Sequence, residues 1–308
     1  MKRLVFLILA VVLVVSTVSF GGIACEDSTP GDIVDDLGRS VTVAEIPERI
    51  VSLAPSCTEI LFALGLEDKV VGVTEYCDYP QEATEKAKVG GFSTVDLEKV
   101  VDANPDLVFA TSKHEADTIP ALEDLGLVVV ALAPETTEDM LENVLLVGDL
   151  TDTKSVARKL VNDMRKRIAA VTEKTEGLSQ SDRPWTLYLT WHDPIWTVGE
   201  GSITHELIEL AGGINVARDI DRHGTIDLES AVARNPEVII ACEGHGSAED
   251  APLNWAQTND VLSVIDARSN NRIYQVDADL ATRPGPRIVE GLEWFAYFLH
   301  PELFEAPE

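Results

Sequence analysis

Two glutamates hold equivalent places in a stretch that occurs twice. The first copy runs from Thr94-Val95-Asp96-Leu97-Glu98 through Asn104-Pro105-Asp106-Leu107-Val108-Phe109-Ala110. The second runs from Thr225-Ile226-Asp227-Leu228-Glu229 through Asn235-Pro236-Glu237-Val238-Ile239-Ile240-Ala241, 131 residues later and without a gap. Taken locally, Glu98 and Glu229 are first-turn acids, which the positive end of a helix favours. A second set of residues lies in loops after apolar runs: Tyr76 and Phe92 in the first half, Trp191, Trp196, His223, Asp279 and Arg283 in the second. Loop aromatics facing a cleft bury much area in a fixed geometry, which suits a large flat or amphipathic ligand. Gly-x-Ser-x-Gly, His-Glu-x-x-His and a phosphate-binding glycine loop do not occur, and the six histidines have no metal-ligand spacing. A secreted hydrolase with an undetected triad stays a remote alternative.

The elements that must position these residues follow from the repeat. Asp96 and Asp227 suit an N-cap, because a short carboxylate accepts from the free N–H groups of the first turn. Asn-Pro stops the helix, since proline lacks the N–H and restricts the residue before it. The apolar run that follows reads as a buried strand. The unit is therefore helix, sharp stop, strand. Its period is far longer than the 20–50 residues or so of a solenoid, so it predicts two similar lobes.

Strands are expected at 40–43, 50–53, 70–73, 127–132, 185–190 and 272–276. Ser56 or Thr58 would cap a helix that Gly65 ends, and further helices are expected at 206–210 and 288–299. Strands alternating with helices imply parallel sheets with crossovers. In such sheets ligands bind beyond the carboxyl ends of the strands, where the loop residues named above fall. The stretch from Lys154 to Lys174 has no Gly or Pro, and Val156, Leu160, Met164, Ile168 and Val171 recur at helical spacing. Twenty-one residues at about 1.5 Å each give roughly 32 Å, enough to join two lobes.

Lys2 and Arg3 precede an apolar run from Leu4 to Phe20, then Gly21-Gly22-Ile23-Ala24-Cys25. This is a secretory signal pattern. Small residues directly before a cysteine resemble a lipoprotein signal in which Cys25 becomes the acylated first residue; a retained single-span anchor is the other reading. Either places residues 26–308 outside the cytoplasmic membrane. The expected organisation is a signal over 1–24, an acidic tether over 25–36, an N-terminal lobe over 37–152, a linking helix over 153–178 and a C-terminal lobe over 179–308. Cys57 and Cys77 both follow first-lobe strands and could meet. The net charge of −29 and the pI near 4.4 argue against nucleic-acid binding, which needs a basic face.

Ser52-Leu53-Ala54-Pro55-Ser56-Cys57-Thr58-Glu59, Tyr76-Cys77-Asp78-Tyr79-Pro80, the Asn-Pro-Asp-Leu-Val unit and Leu210-Ala211-Gly212-Gly213-Ile214-Asn215 carry a family likeness. Over residues 37–300 or so the chain resembles the cobalamin, haem and siderophore class of ABC-transporter substrate-binding proteins, and its cobalamin branch most. The resemblance implies an α/β protein of two similar lobes, each a mainly parallel sheet flanked by helices, joined by one long α-helix with the ligand cleft between them. It implies a monomer without a resident cofactor that carries a corrinoid to an ABC permease and its ATPase; haem or a ferric siderophore is the alternative cargo. By that resemblance Tyr76, Phe92, Trp191, His223, Asp279 and Arg283 match corrinoid-contacting positions. Glu98 and Glu229 match the acids that dock each lobe on the permease.

Overall fold

The computed structural model describes residues 31–243 and 251–307; the expected signal and the lipidation site Cys25 lie outside them. The chain enters as β1 (Asp32–Val34), paired antiparallel with β2 (Ser40–Thr42). There follow β3 (Ile50–Ser52), α1 (Pro55–Ala63), β4 (Val70–Val73), α2 (Leu97–Asp102), β5 (Leu107–Ala110), α3 (Thr118–Asp124), β6 (Val129–Ala131) and α4 (Thr137–Leu150). The linking helix α5 spans Lys154–Thr175. The second lobe comprises β7 (Trp185–Leu189), β8 (Trp191–His192), β9 (Ile195–Val198), α6 (Ile203–Leu210), β10 (Ile214–Asn215), β11 (His223–Ile226), α7 (Leu228–Ala233) and β12 (Val238–Glu243). It ends with α8 (Pro252–Thr258), α9 (Asp266–Ser269), β13 (Ile273–Asp277), α10 (Ala278–Thr282) and α11 (Ile288–Leu299).

The two main sheets are four-stranded, parallel and identically ordered: β4-β3-β5-β6 in the first lobe and β10-β7-β12-β13 in the second. Repeat strands β5 and β12 occupy the same position in each. The helices before them match in detail. Asp96 accepts from the Lys99 N–H and Asp227 from the Ser230 N–H. Asn104 and Asn235 leave the helices at φ 46° and 44°, a left-handed conformation that asparagine tolerates better than most residues. The sheets are apolar on both faces, as parallel strands covered by helices must be. Ile50, Leu107, Val108, Ile239 and Ile240 are all fully buried.

Helix α5 does the joining. Its buried stripe of Ala157, Val161, Met164 and Val171 belongs to one continuous core. That core also holds Val144 and Val147 of α4, Leu207 and Ile208 of α6, and Leu292 and Phe295 of α11. Among the described residues no helix is long and apolar enough to cross a membrane.

Three local expectations need correction. The acidic tether does not extend to residue 36, because β1 pairs with β2 and two acids are tied into the first lobe. Asp35, 4% exposed, accepts from the backbone N–H groups of Leu37, Arg39 and Ala131 and pairs with the Arg39 guanidinium. Asp36 accepts from the Ala133 N–H and the Asn143 amide. Helix α1 is capped by neither Ser56 nor Thr58. Its N-cap is Ala54 with Pro55 in the first turn, and Thr58 Oγ1 instead bonds Ser52 Oγ at 2.8 Å. Cys57 and Cys77 remain separate thiols. Thr58 Oγ1 donates to Cys77 Sγ at 3.2 Å, and burial pushes the Cys57 thiol up to about 12, with Cys77 adding to the shift.

Asp35→Ala tests the anchoring of the entry strand. It leaves three backbone N–H groups without their acceptor and strips the Arg39 guanidinium of one of its partners, so a loss on the order of 2–4 kcal/mol is expected in denaturant unfolding. A loss within about 0.5 kcal/mol would return this segment to a solvated tether.

Candidate functional site

A cleft of about 700 Å³ opens between the lobes. Its first-lobe wall is built from the carboxyl ends of four adjacent strands: Pro55 and Ser56 after β3, Tyr76 after β4, Thr111 to Lys113 after β5, and Leu132 to Pro134 after β6. This is where an open parallel sheet leaves its binding crevice. The second lobe faces it with Arg222, His223, Thr282, Arg283 and Pro284. Four of the residues singled out in the sequence therefore meet in one cavity: Tyr76, Phe92, His223 and Arg283. Tyr76 is 59% exposed, so its ring is free to cover a ligand.

Arg283 is held in place by acids from both lobes. Its Nη1 donates to Asp78 Oδ1 at 2.7 Å, its Nε lies 2.7 Å from Asp279 Oδ1, and Glu59 Oε1 is 3.7 Å away. Asp279 thus positions Arg283 and does not itself border the cavity. Four residues further along, Arg287 donates to Glu59 through Nε and Nη2 at 3.1 and 2.6 Å and lies 3.9 Å over the Tyr79 ring. Glu59 is 3% exposed. Burial pushes its carboxyl above the usual range, and the bonds and charges of Arg287 and Arg283 only partly offset that. The cluster separates the cleft from a rear hollow of about 550 Å³ walled by α1, α5 and the start of α11.

Two further contacts cross between the lobes. Arg222, on the cleft wall, pairs with Glu135. Glu206 on α6 accepts from the Thr137 N–H at the start of α4, at 2.5 Å. The free N–H groups of a helix N-terminus are natural donors to such a carboxylate.

Trp191 and Trp196 do not reach the cavity wall. The segment expected as an aromatic loop is a hairpin turned on Asp193-Pro194, in which Trp191 faces Trp196 across β8 and β9. Strand β9 also pairs with β11, setting Trp196 opposite Thr225. Side chains two apart share a face, so these tryptophans stand on the face that carries His223, beyond the cavity. Period and composition could not reveal this, because the pairing joins segments about 30 residues apart. Trp196 remains 44% exposed.

The structure adds residues that the sequence reading missed. His114, 2% exposed, holds the Phe92 loop. Its Nδ1 accepts from the Thr111 N–H at 3.1 Å, which fixes the proton on Nε2, and Nε2 donates to the Phe92 carbonyl at 2.8 Å. The His114 and Phe92 rings also meet edge to face at 5.3 Å. Lys113 and Arg222 bring the cationic groups on the cleft wall to three, with Arg283. The only sequence signal for Glu59 was its place at the end of the Ser52–Glu59 motif, and Arg287 had none. Glu98 and Glu229 are both exposed, each in the first turn of its repeat helix.

The chain belongs to the periplasmic binding protein family, whose model matches residues 50–280. It is a substrate-binding protein of the ABC-transporter class. An uncharacterised ABC transporter substrate-binding lipoprotein, YvrC of Bacillus subtilis, is 33% identical over 281 residues, covering 90% of this chain and 87% of that protein. A vitamin B12-binding protein of Vibrio parahaemolyticus is 30% identical over 256 residues, covering 82% and 90%. Among solved structures, the periplasmic vitamin B12-binding protein BtuF of Vibrio cholerae superposes with a TM-score of 0.71 at 27% identity, over 83% of this chain and 98% of that one.

Burial holds the His114 pKa below its ordinary value. The folded ring therefore resists a proton that the unfolded chain takes up below about pH 6.5. The stabilisation is complete above that pH and is lost as pH falls through the folded value. The stability advantage of the parent over His114→Gln, read from melting temperatures between pH 7.5 and 5, should shrink on acidification. Parallel curves would remove His114 from this role.

Proposed function

We propose that this protein captures a corrinoid in the interlobe cleft and delivers it to an ABC permease on the outer face of the cytoplasmic membrane. The observation that carries the reading is the cleft itself. Its volume of about 700 Å³ lies within the range of ligand sites. Tyr76 and Phe92 oppose His223 across it, and the two vitamin B12-binding relatives span nearly their whole length on this chain. Rings on both walls would grip the corrin faces, while Arg283, kept in place by Asp78 and Asp279, would meet polar groups at the ligand edge. Trp191 and Trp196 extend that wall for the part of the ligand that protrudes. The protein binds and releases its cargo without chemical turnover and works as a monomer. It is tethered through Cys25, with a first lobe that begins at β1 and runs to 152, a link over 153–178 and a second lobe over 179–308.

A second reading has its own support. Lys113, Arg222 and Arg283 give the cleft three cationic groups, which suit the carboxylates of haem or the anionic oxygens of a ferric siderophore. Calorimetric titration separates the two. Cobalamin or cobinamide should bind tightly and one to one; binding of haem or a ferric siderophore alone would replace the corrinoid reading.

Glu98 and Glu229 are the docking acids in this proposal, one per lobe, each set on an identical helix start. Replacing both by Gln should leave ligand affinity unchanged and weaken the complex with the permease by more than the two single changes together. Loss of one partner from a buried interfacial charge pair costs about 2–5 kcal/mol. A first-turn acid contributes only about 0.3–1 kcal/mol to its own helix. Permease affinity that survives the double change would leave these glutamates as helix-start acids.

A further inference from the structure

The acids of α2 and α7 are not alone on their surfaces. Val101 on α2 is 42% exposed, and Leu125, at the end of α3 packed against α2, is 56% exposed. In the second lobe, Val261 and Val264 are 51% and 71% exposed on the short turn Asp260–Val264, which packs against α7. Large apolar side chains are thus left in water around both repeat helices.

The second lobe adds a hollow of about 510 Å³ at the start of α7. Buried Ile195 and Ile226 floor it, His192, Pro194 and Trp255 wall it, and Asp193 and Asp227 stand at its rim. The His192 ring stacks on Trp255 at 5.5 Å, with 27° between the planes. His192 Nδ1 is buried and has no hydrogen-bond partner among the described residues. A buried polar atom left without a partner is costly, and its cost is recovered when a partner arrives. Among the described residues no lysine or arginine lines this hollow, and Glu229 follows Asp227 by two residues. An aromatic-walled, apolar-floored hollow bordered by acids fits a side chain of mixed character. Such hollows are where a few residues dominate an interface.

We propose that this hollow and the exposed valines beside it form the second-lobe anchor for the extracytoplasmic face of the permease. An apolar or aromatic permease side chain fills the hollow, and a neighbouring basic residue reaches Glu229. The inference rests on the docking reading of the repeat helices and extends it from two charges to a packed contact. The charges then steer the approach, while the hollow holds the complex. Apolar burial governs the rate of release more than the rate of encounter, which electrostatics sets.

The test uses the full chain and the permease–ATPase complex in lipid nanodiscs. Two variants are measured by kinetic binding, with the melting temperature of each as the control for folding. Trp255→Ala opens the wall of the hollow. Val264→Lys changes a side chain that is 71% exposed, so it does not disturb packing if Trp255→Ala does. Each should weaken permease binding at least tenfold, mainly through faster release. Parent-like affinity in both would overturn the proposal; if Glu98→Gln with Glu229→Gln still weakens the complex, the docking acids survive and only the hollow fails. Weakening by the hollow variants alone would keep the anchor and remove the glutamates. Self-association of the free parent that Val264→Lys abolishes would assign the surface to a second copy of the chain and overturn the proposal as well.

Discussion

The Glu59 carboxylate ties the two halves of this molecule together. It comes from the first helix of the first lobe and receives a two-pronged bond from Arg287 of the second, 228 residues away. A carboxylate this deeply buried is costly unless paired and hydrogen-bonded. The arginines must therefore stay with it, and with them the loop from Asp279 to Arg287. That loop carries Arg283 to the cleft wall. The constraint that closes the lobe junction is also the one that sets a cationic group on the cleft wall.

Around this point the two lobes are built alike and joined asymmetrically. Both sheets have the same strand order, so both present their strand ends to the shared cleft. The junction itself has four unlike parts: the apolar seam of α5 against α4, α6 and α11, the Glu59 cluster, the Arg222–Glu135 pair, and the contact of Glu206 with the start of α4. A helix has every interior backbone amide bonded along its length, unlike a pair of extended hinge strands. Movement between the lobes then requires sliding at packed side chains, and the polar contacts on either side of the cleft limit how far that goes.

The second lobe departs from the repeat where it inserts β8 and β9 between β7 and α6. The insertion sets tryptophans on one face and His192 on the other, beside Trp255. One sheet thus borders two surfaces, the cleft wall near His223 and the hollow beside α7. This asymmetry gives nearly equivalent lobes different exposed surfaces.

The sequence by itself determined whatever depends on near neighbours. The capping acids, the Asn-Pro stops and the apolar runs of the parallel strands are local patterns, and each formed where it was expected; α5 also formed, but its buried stripe starts at Ala157 and Val161, while Val156, expected in the stripe, is 43% exposed. The duplication also made the two-lobe plan legible, because a repeated unit must find an equivalent place in each sheet. Tyr76, Phe92 and Arg283 were readable as cleft residues because strand ends in such sheets share one edge; His223, expected in a loop, reaches the same cavity as the first residue of β11. Only the tertiary structure decided the rest. Asp35 looked like part of a solvated tether, since nothing nearby in sequence shows that the end of β6 supplies its buried donor. Trp191 and Trp196 looked like loop residues because the hairpin that holds them is joined to the lobe through β11, which comes about 30 residues later in the chain. His114 and Glu59 carried no local signal of their roles, as Phe92 and Arg287 reach them only after folding. Hydrogen bonds and ion pairs are short-ranged, so the sequence does not record a partner that the fold brings in from a distance.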